Sequence, residues 1–265
     1  MPTIEHDGIT IYFEEVGEGL AVVLGHSFLC SGEMWAPLIP LLAEQHRVIN
    51  IDLRGHGRSS RLSQPCDVYD LVGDVVAVLD SLSIQNAVWA GLSIGGMVAM
   101  RAALTVRDRV RALVLLDTHA GSETAFKKVK YWAMNAGTKI LGIRPFLPAV
   151  VPMMFGATTL RDKAELVTEW EMKFAAIDMP SIGIILGALV RRDSVVDRLP
   201  GIGVPTLVIV GSEDASLPVD YSREISEGIP DSTLLVVSEA GHLSTLEQPE
   251  VVSEAMIGFL SRLER

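Results

Sequence analysis

Hydrophobic positions along the chain fall into two alternating patterns. Short runs of Val, Ile and Leu are continuously apolar: "LAVVLG" near Val22, "HRVINID" near Val48, "NAVWAGL" near Val88, "RALVLLD" near Val114, "PTLVIVG" near Val208 and "STLLVVS" near Val236. Between them apolar residues return every three or four positions, as Leu71, Val75, Val78, Leu79 and Leu82 do within a helix predicted over 69–82. Further helices are predicted over 35–44, 94–105, 219–227 and 249–263. Strands apolar on both sides and separated by helices imply a mostly parallel central sheet with helices on both faces. The opening "TIEHDGITIYFEEVG" instead alternates about Asp7-Gly8, which predicts a hairpin and an antiparallel edge.

The alternation stops after Asp117, and about eighty residues pass before "VPTLVIVG" without a strand pattern. This stretch carries helical stripes of its own: Phe126, Val129 and Ala133; Leu166, Trp170 and Phe174; and Ile182, Ile185, Leu186 and Leu189. Pro145, Pro148, Pro152 and Pro180 punctuate it. The expected organisation is a core formed by 1–118 and 199–265, with 119–198 inserted as a helical cap over the carboxyl edge of the sheet. No internal repeat or low-complexity segment is visible.

Composition narrows the partners. Of 265 residues 49% are apolar and 21% charged, as in a water-soluble globular protein. A formal charge of -11 repels phosphate backbones and anionic lipid, so neither nucleic acid nor membrane is expected as a partner. The start "MPTIEHDGIT" has neither a basic nor an apolar leader region, and a cytoplasmic location is expected. Cys30 and Cys66 lie in no metal-binding or redox spacing and read as free thiols.

The candidate chemistry starts at "VWAGLSIGGMVAM", where Gly91-Leu92-Ser93-Ile94-Gly95 fits G-x-S-x-G. Read alone, the pentapeptide is also an ordinary Gly/Ser turn. Its position between a strand and a helix favours a nucleophile elbow, a tight turn whose small neighbours let the hydroxyl stand clear of the sheet. The helix beginning after Ser93 points its amides and positive dipole end at charge forming there. A serine nucleophile needs a base, itself oriented by a third group. His242, in "SEAGHLSTLEQPE" after the last strand, is at the same sheet edge as Ser93.

Among the other histidines, His6 and His46 read as surface residues and His56 as a brace of the Gly-rich loop "DLRGHGRSS". His26 and His119 follow strands and read as substrate-facing or supporting groups. Asp214, in "IVGSEDASLP", follows a buried strand and is the candidate acid, with Asp117 as the alternative. The oxyanion of an acyl transfer needs preorganised amides, expected from Ile94 and from Phe28 in "LGHSFLCSGEMW".

These stretches, with "VINIDLRGHGRSS" and "AGHLSTLEQPE", resemble the α/β-hydrolase superfamily in order and spacing over almost the whole chain. The resemblance is strongest to small capped serine esterases and lactonases, including 3-oxoadipate enol-lactonases. It implies the α/β-hydrolase fold with an inserted helical cap, Ser93 as nucleophile, Asp214 as acid and His242 as base, and no metal or organic cofactor. A serine nucleophile separates the chain from the aspartate-dependent dehalogenases and epoxide hydrolases. His26-Ser27 stands where many relatives have His-Gly and resembles the Asn-Ser of the enol-lactonase branch.

The implied substrate is a small ester or lactone, and a homo-oligomer remains open. His26, Ser27, His119, Trp132, Met154 and Trp170 are the candidate substrate contacts, within an apolar cap that also holds Met134, Met153, Phe155 and Phe174. An enol-lactone would require recognition of a carboxylate, for which Arg144, Arg191 and Arg192 are candidates. Hydrolysis of uncharged short to medium esters is the favoured reading and enol-lactone hydrolysis the alternative. Carbon–carbon bond hydrolysis, perhydrolysis and a non-catalytic ligand receptor on the same fold are further readings.

Overall fold

A computed structural model describes residues 2–264, with only the backbone at Lys130. Among the described residues eight strands form one sheet: β1 (Thr3–His6), β2 (Ile9–Val16), β3 (Leu20–Gly25), β4 (His46–Asp52), β5 (Ala87–Leu92), β6 (Val110–Leu116), β7 (Thr206–Gly211) and β8 (Ser232–Val237). Their order is β1-β2-β4-β3-β5-β6-β7-β8. The six strands from β4 to β8 across the sheet run parallel, whereas β1 and β2 form the antiparallel edge. The predicted hairpin closes where His6 faces Ile9, with Asp7 and Gly8 at φ of 49° and 74°. Two successive residues in that region define the mirror-image turn that matches strand twist.

Helices α2 (Val68–Ser81), α3 (Ile94–Thr105) and α9 (Val219–Gly228) contribute to one buried apolar cluster, and α1 (Ile39–Leu42), α10 (Ser244–Glu247) and α11 (Pro249–Leu263) to the other. The helix predicted over 35–44 is shorter than its apolar pattern suggested. It splits into a 3-10 turn at Gly32–Trp35 and the single turn α1. Pro37 and Pro40 explain the break, because each removes an amide donor that a continuous helix would use. α2 is started by Asp67, whose carboxylate accepts from the amides of Tyr69 and Asp70, while the Asp70 side chain returns a bond to the Asp67 amide.

Between β6 and β7 the chain forms α4 (Ala125–Leu141), α5 (Leu147–Met154), α6 (Ala157–Asp162), α7 (Ala164–Ala175) and α8 (Met179–Arg191). Pro148 and Pro180 sit in the first turns of α5 and α8, where the missing amide costs nothing. The stripe on α4 faces the opposite way from the one expected: Phe126 and Val129 are 80% and 69% exposed. Helical periodicity identified the helix but not its inward face. α4 packs on α8 through Asn135, which donates to the Gly183 carbonyl at 3.5 Å and fills the space a side chain at 183 would occupy. Among the described residues no single helix is long and apolar enough to cross a membrane. Cys30 and Cys66 are free, buried thiols.

Candidate active site

The parallel strands end at one edge, and the chemistry-bearing residues follow them: Ser93 after β5, Asp117 after β6, Asp214 after β7 and His242 after β8. Ser93 has φ of 56° and ψ of -111°, a backbone state that side chains avoid. Two glycines make the turn feasible by close approach. A Cβ on Gly91 would lie 2.1 Å from the Gly95 carbonyl carbon, and one on Gly95 2.2 Å from the Gly25 carbonyl oxygen. The Ser93 amide donates to the Leu116 carbonyl (2.9 Å), and the Thr118 hydroxyl donates to the Ser93 carbonyl (2.7 Å). Bonds of this kind hold the strained residue in place.

His242 is buried, and its Nδ1–H donates to Asp214 Oδ2 at 2.8 Å. That bond places the proton on Nδ1 and leaves Nε2 as a lone-pair nitrogen. Asp214 is fixed in turn through Oδ1, which accepts from the amides of Ser216 and Leu217, each at 2.8 Å. Burial alone would lower the His242 pKa; the charge and hydrogen bond of Asp214 outweigh it, Asp117 and Glu247 add to them, and the net pKa is above the usual 6.5. Asp117 is itself buried. Its Oδ1 accepts from the Gly211 amide (2.8 Å) and its Oδ2 from the Ser244 hydroxyl (2.5 Å). Burial, and then the charge of Asp214, push the Asp117 carboxyl well above its usual range.

Ser93 and His242 line one cavity of about 170 Å³, together with Ser27, Phe28, Met97, Met134, Met153, Met154, Leu186 and Leu217. Its wall is mostly apolar, but Glu123, Tyr131 and Arg192 also line it. Ile94 is the first residue of α3, so its amide has no intrahelical acceptor. Phe28 lines the cavity beside Leu29, whose φ of 65° bends the loop. The Ser27 hydroxyl is buried without a hydrogen-bond partner among the described residues.

The structure therefore brings together Ser93, Asp214, His242, Ser27, Phe28 and Met154, and sets other candidates apart. His26 is a brace: Nδ1–H donates to the Ser27 carbonyl (2.8 Å), and Nε2 accepts from the Leu53 amide (2.9 Å). His56 braces its own loop, donating from Nδ1 to the Arg54 carbonyl (3.1 Å), and burial lowers its pKa to about 3. His46, expected at the surface, is instead fully buried. His119 stands behind the cavity wall, accepting from Arg192 at 3.1 Å and stacking on Tyr221 at 4.0 Å. Trp132 is 47% exposed, because the buried side of α4 is the one bearing Asn135. Trp170 lines a different, more polar cleft with Cys30, His56 and Lys173. Arg144 and Arg191 are exposed, whereas Arg192 is buried at the cavity. Glu123 and Tyr131 escaped the sequence reading; next to the start of α4 an acidic residue has an ordinary helix-terminus explanation.

Comparison with known proteins agrees with this architecture. The family model for the α/β hydrolase fold matches residues 21–249, and the chain belongs to that family. A 3-oxoadipate enol-lactonase of Acinetobacter baylyi is 28% identical over 91% of this chain and 89% of its own. A thermophilic esterase from Thermogutta terrifontis superposes with a TM-score of 0.94 at 29% identity, covering 99% of this chain and 97% of that one. The enol-lactonase from Burkholderia xenovorans LB400 superposes with a TM-score of 0.92 at 26% identity, covering 98% of this chain and 100% of that one.

Proposed function

We propose that the protein is a serine hydrolase that cleaves small to medium, largely uncharged carboxylic esters through an acyl-enzyme intermediate. The observation that carries this reading is that Ser93 and His242 line one largely apolar cavity, and that His242 Nδ1 is bonded to Asp214 Oδ2 so that its Nε2 is the nitrogen left without a proton. In the proposed reaction, His242 Nε2 takes the Ser93 hydroxyl proton as the oxygen attacks the ester carbonyl. Asp214 stabilises the imidazolium that results. The amides of Ile94 and Phe28 receive the oxyanion, and loss of one such donor costs about 10²–10³ in rate. His242 then protonates the departing alcohol, and water repeats the sequence to free the acid. Residues 119–198 act as a cap that supplies most of the apolar wall.

Hydrolysis of lactones is the second reading, favoured by the likeness to enol-lactonases. A fluorophosphonate probe with peptide mapping tests the shared chemistry: labelling confined to Ser93 and lost in Ser93→Ala is the expected result. Undiminished labelling or turnover in that variant would reject the assignment. A panel of nitrophenyl esters and small lactones separates the two readings; a preference for a carboxylated lactone by orders of magnitude would favour the second.

A further inference from the structure

One part of the cavity wall is not apolar. Arg192, at the end of α8, has a side chain only 1% exposed, and its Nη2 donates to Glu123 Oε1 at 3.0 Å; the Glu123 side chain is 8% exposed. The rest of the guanidinium is nearly spent. Nη2 also donates to His119 Nδ1 (3.1 Å), Nε to the Gly121 carbonyl (3.0 Å) and Nη1 to the Leu189 carbonyl (2.8 Å). His119 acts here as a neutral acceptor, because burial and the charges of Arg192 and Lys127 lower its pKa to about 4. Five N–H groups belong to a guanidinium, and an ionised carboxylate accepts on both oxygens. Among the described residues, the second Nη1 proton and Glu123 Oε2 are the valences left over.

We propose that the Arg192–Glu123 pair selects substrates carrying, besides the reacting ester, a neutral amide or carbamate group. Its C=O accepts from Arg192 and its N–H donates to Glu123. The pair is electrically neutral and buried, so a substrate carboxylate would either displace Glu123 or lie beside it as an uncompensated second anion. A wholly apolar chain would displace water from both polar groups without replacing its hydrogen bonds. An uncharged group with a donor next to an acceptor completes the wall. This inference rests on the esterase reading and specifies its substrate class.

The test uses nitrophenyl esters of succinic, glutaric and adipic acids whose far end is a primary carboxamide, a carboxylate or an isosteric isopropyl group. The expected wild-type order in kcat/KM is carboxamide over isopropyl over carboxylate, with at least about a tenfold gap at the first step for the chain length that reaches the pair. Glu123→Gln removes the internal counter-charge and should raise the carboxylate ester above the carboxamide. A wild-type enzyme that hydrolyses the carboxylate or isopropyl ester as fast as the carboxamide at every length would overturn the proposal, and that comparison needs no variant. An order unchanged by Glu123→Gln would overturn it as well. Nitrophenyl acetate is the control: without turnover of it and without Ser93 labelling, the esterase reading itself fails and takes this proposal with it.

Discussion

Ser93 occupies a left-handed backbone state at φ 56°, and such a state in a residue with a side chain costs about 1–3 kcal/mol. Replacement by glycine removes that strain. Ser93→Gly is therefore expected to abolish turnover yet raise unfolding stability by about 1 kcal/mol, read from the denaturant midpoint; a lower midpoint would contradict the strain. His242 gives two opposite pH limbs. The proposed base works only when neutral, so the rate should climb with pH and level off above its raised pKa. The same shift means that the fold gains stability from a charged His242 below about 6.5 and loses it as pH rises through the folded-state value. Asp214→Asn should lower kcat about 10⁴-fold and move the rate limb to lower pH, measured by a kcat/KM profile. Ser93, Asp214 and His242 were legible as candidates because each follows an apolar strand at the same edge of the sheet. Glu123 was not, since its meaning depends on Arg192, 69 residues away along the chain.

Loops rather than helices carry the site, and buried polar groups stiffen them. Asp52, at the end of β4, accepts from the Gly32 amide (2.7 Å) and from the Arg58 amide (2.9 Å) and Nε (2.8 Å). It thereby ties the loop containing Phe28 to the loop containing His56. Burial works against its charge, but the Arg58 bonds and the amides of Arg58 and Gly32 hold its carboxyl below the usual range. Asp52→Ala should cost about 1–3 kcal/mol, the scale for leaving a buried donor such as the Gly32 amide without its acceptor, and slow acylation with it; a neutral effect on thermal unfolding would show that the loops are held elsewhere. Strand positions were legible from their apolar runs, and α3 and α11 follow their predicted ranges. Two failures share one cause: periodicity reports that a helix can form, not what interrupts it or which side faces inward. Prolines interrupted the segment before β4, and the Asn135–Gly183 contact turned Phe126 and Val129 outward.

At the scale of the whole molecule, the sheet separates two apolar clusters, and the helices inserted after β6 join both. α8 is anchored to the first: the fully buried Arg101 pairs with Asp193 at 2.9 Å, and Ser181 Oγ accepts from the Leu62 amide at 2.9 Å. The α5–α6 junction is anchored to the other side. There the Gly156 amide donates to the buried Glu247 (2.8 Å), the Leu243 amide donates to the Met154 carbonyl (3.1 Å), and a Cβ on Gly241 would lie 2.2 Å from the Gly156 nitrogen. Backbone this close to the loop of His242 leaves no room for that half of the insert to swing. Substrate is therefore expected to enter on the α4 side, where Phe126, Val129 and Trp132 are exposed. Hydrogen–deuterium exchange should find the α4 amides labelling well before those of α5 and α6, so that one half of the roof behaves as hinge stock and the other as masonry.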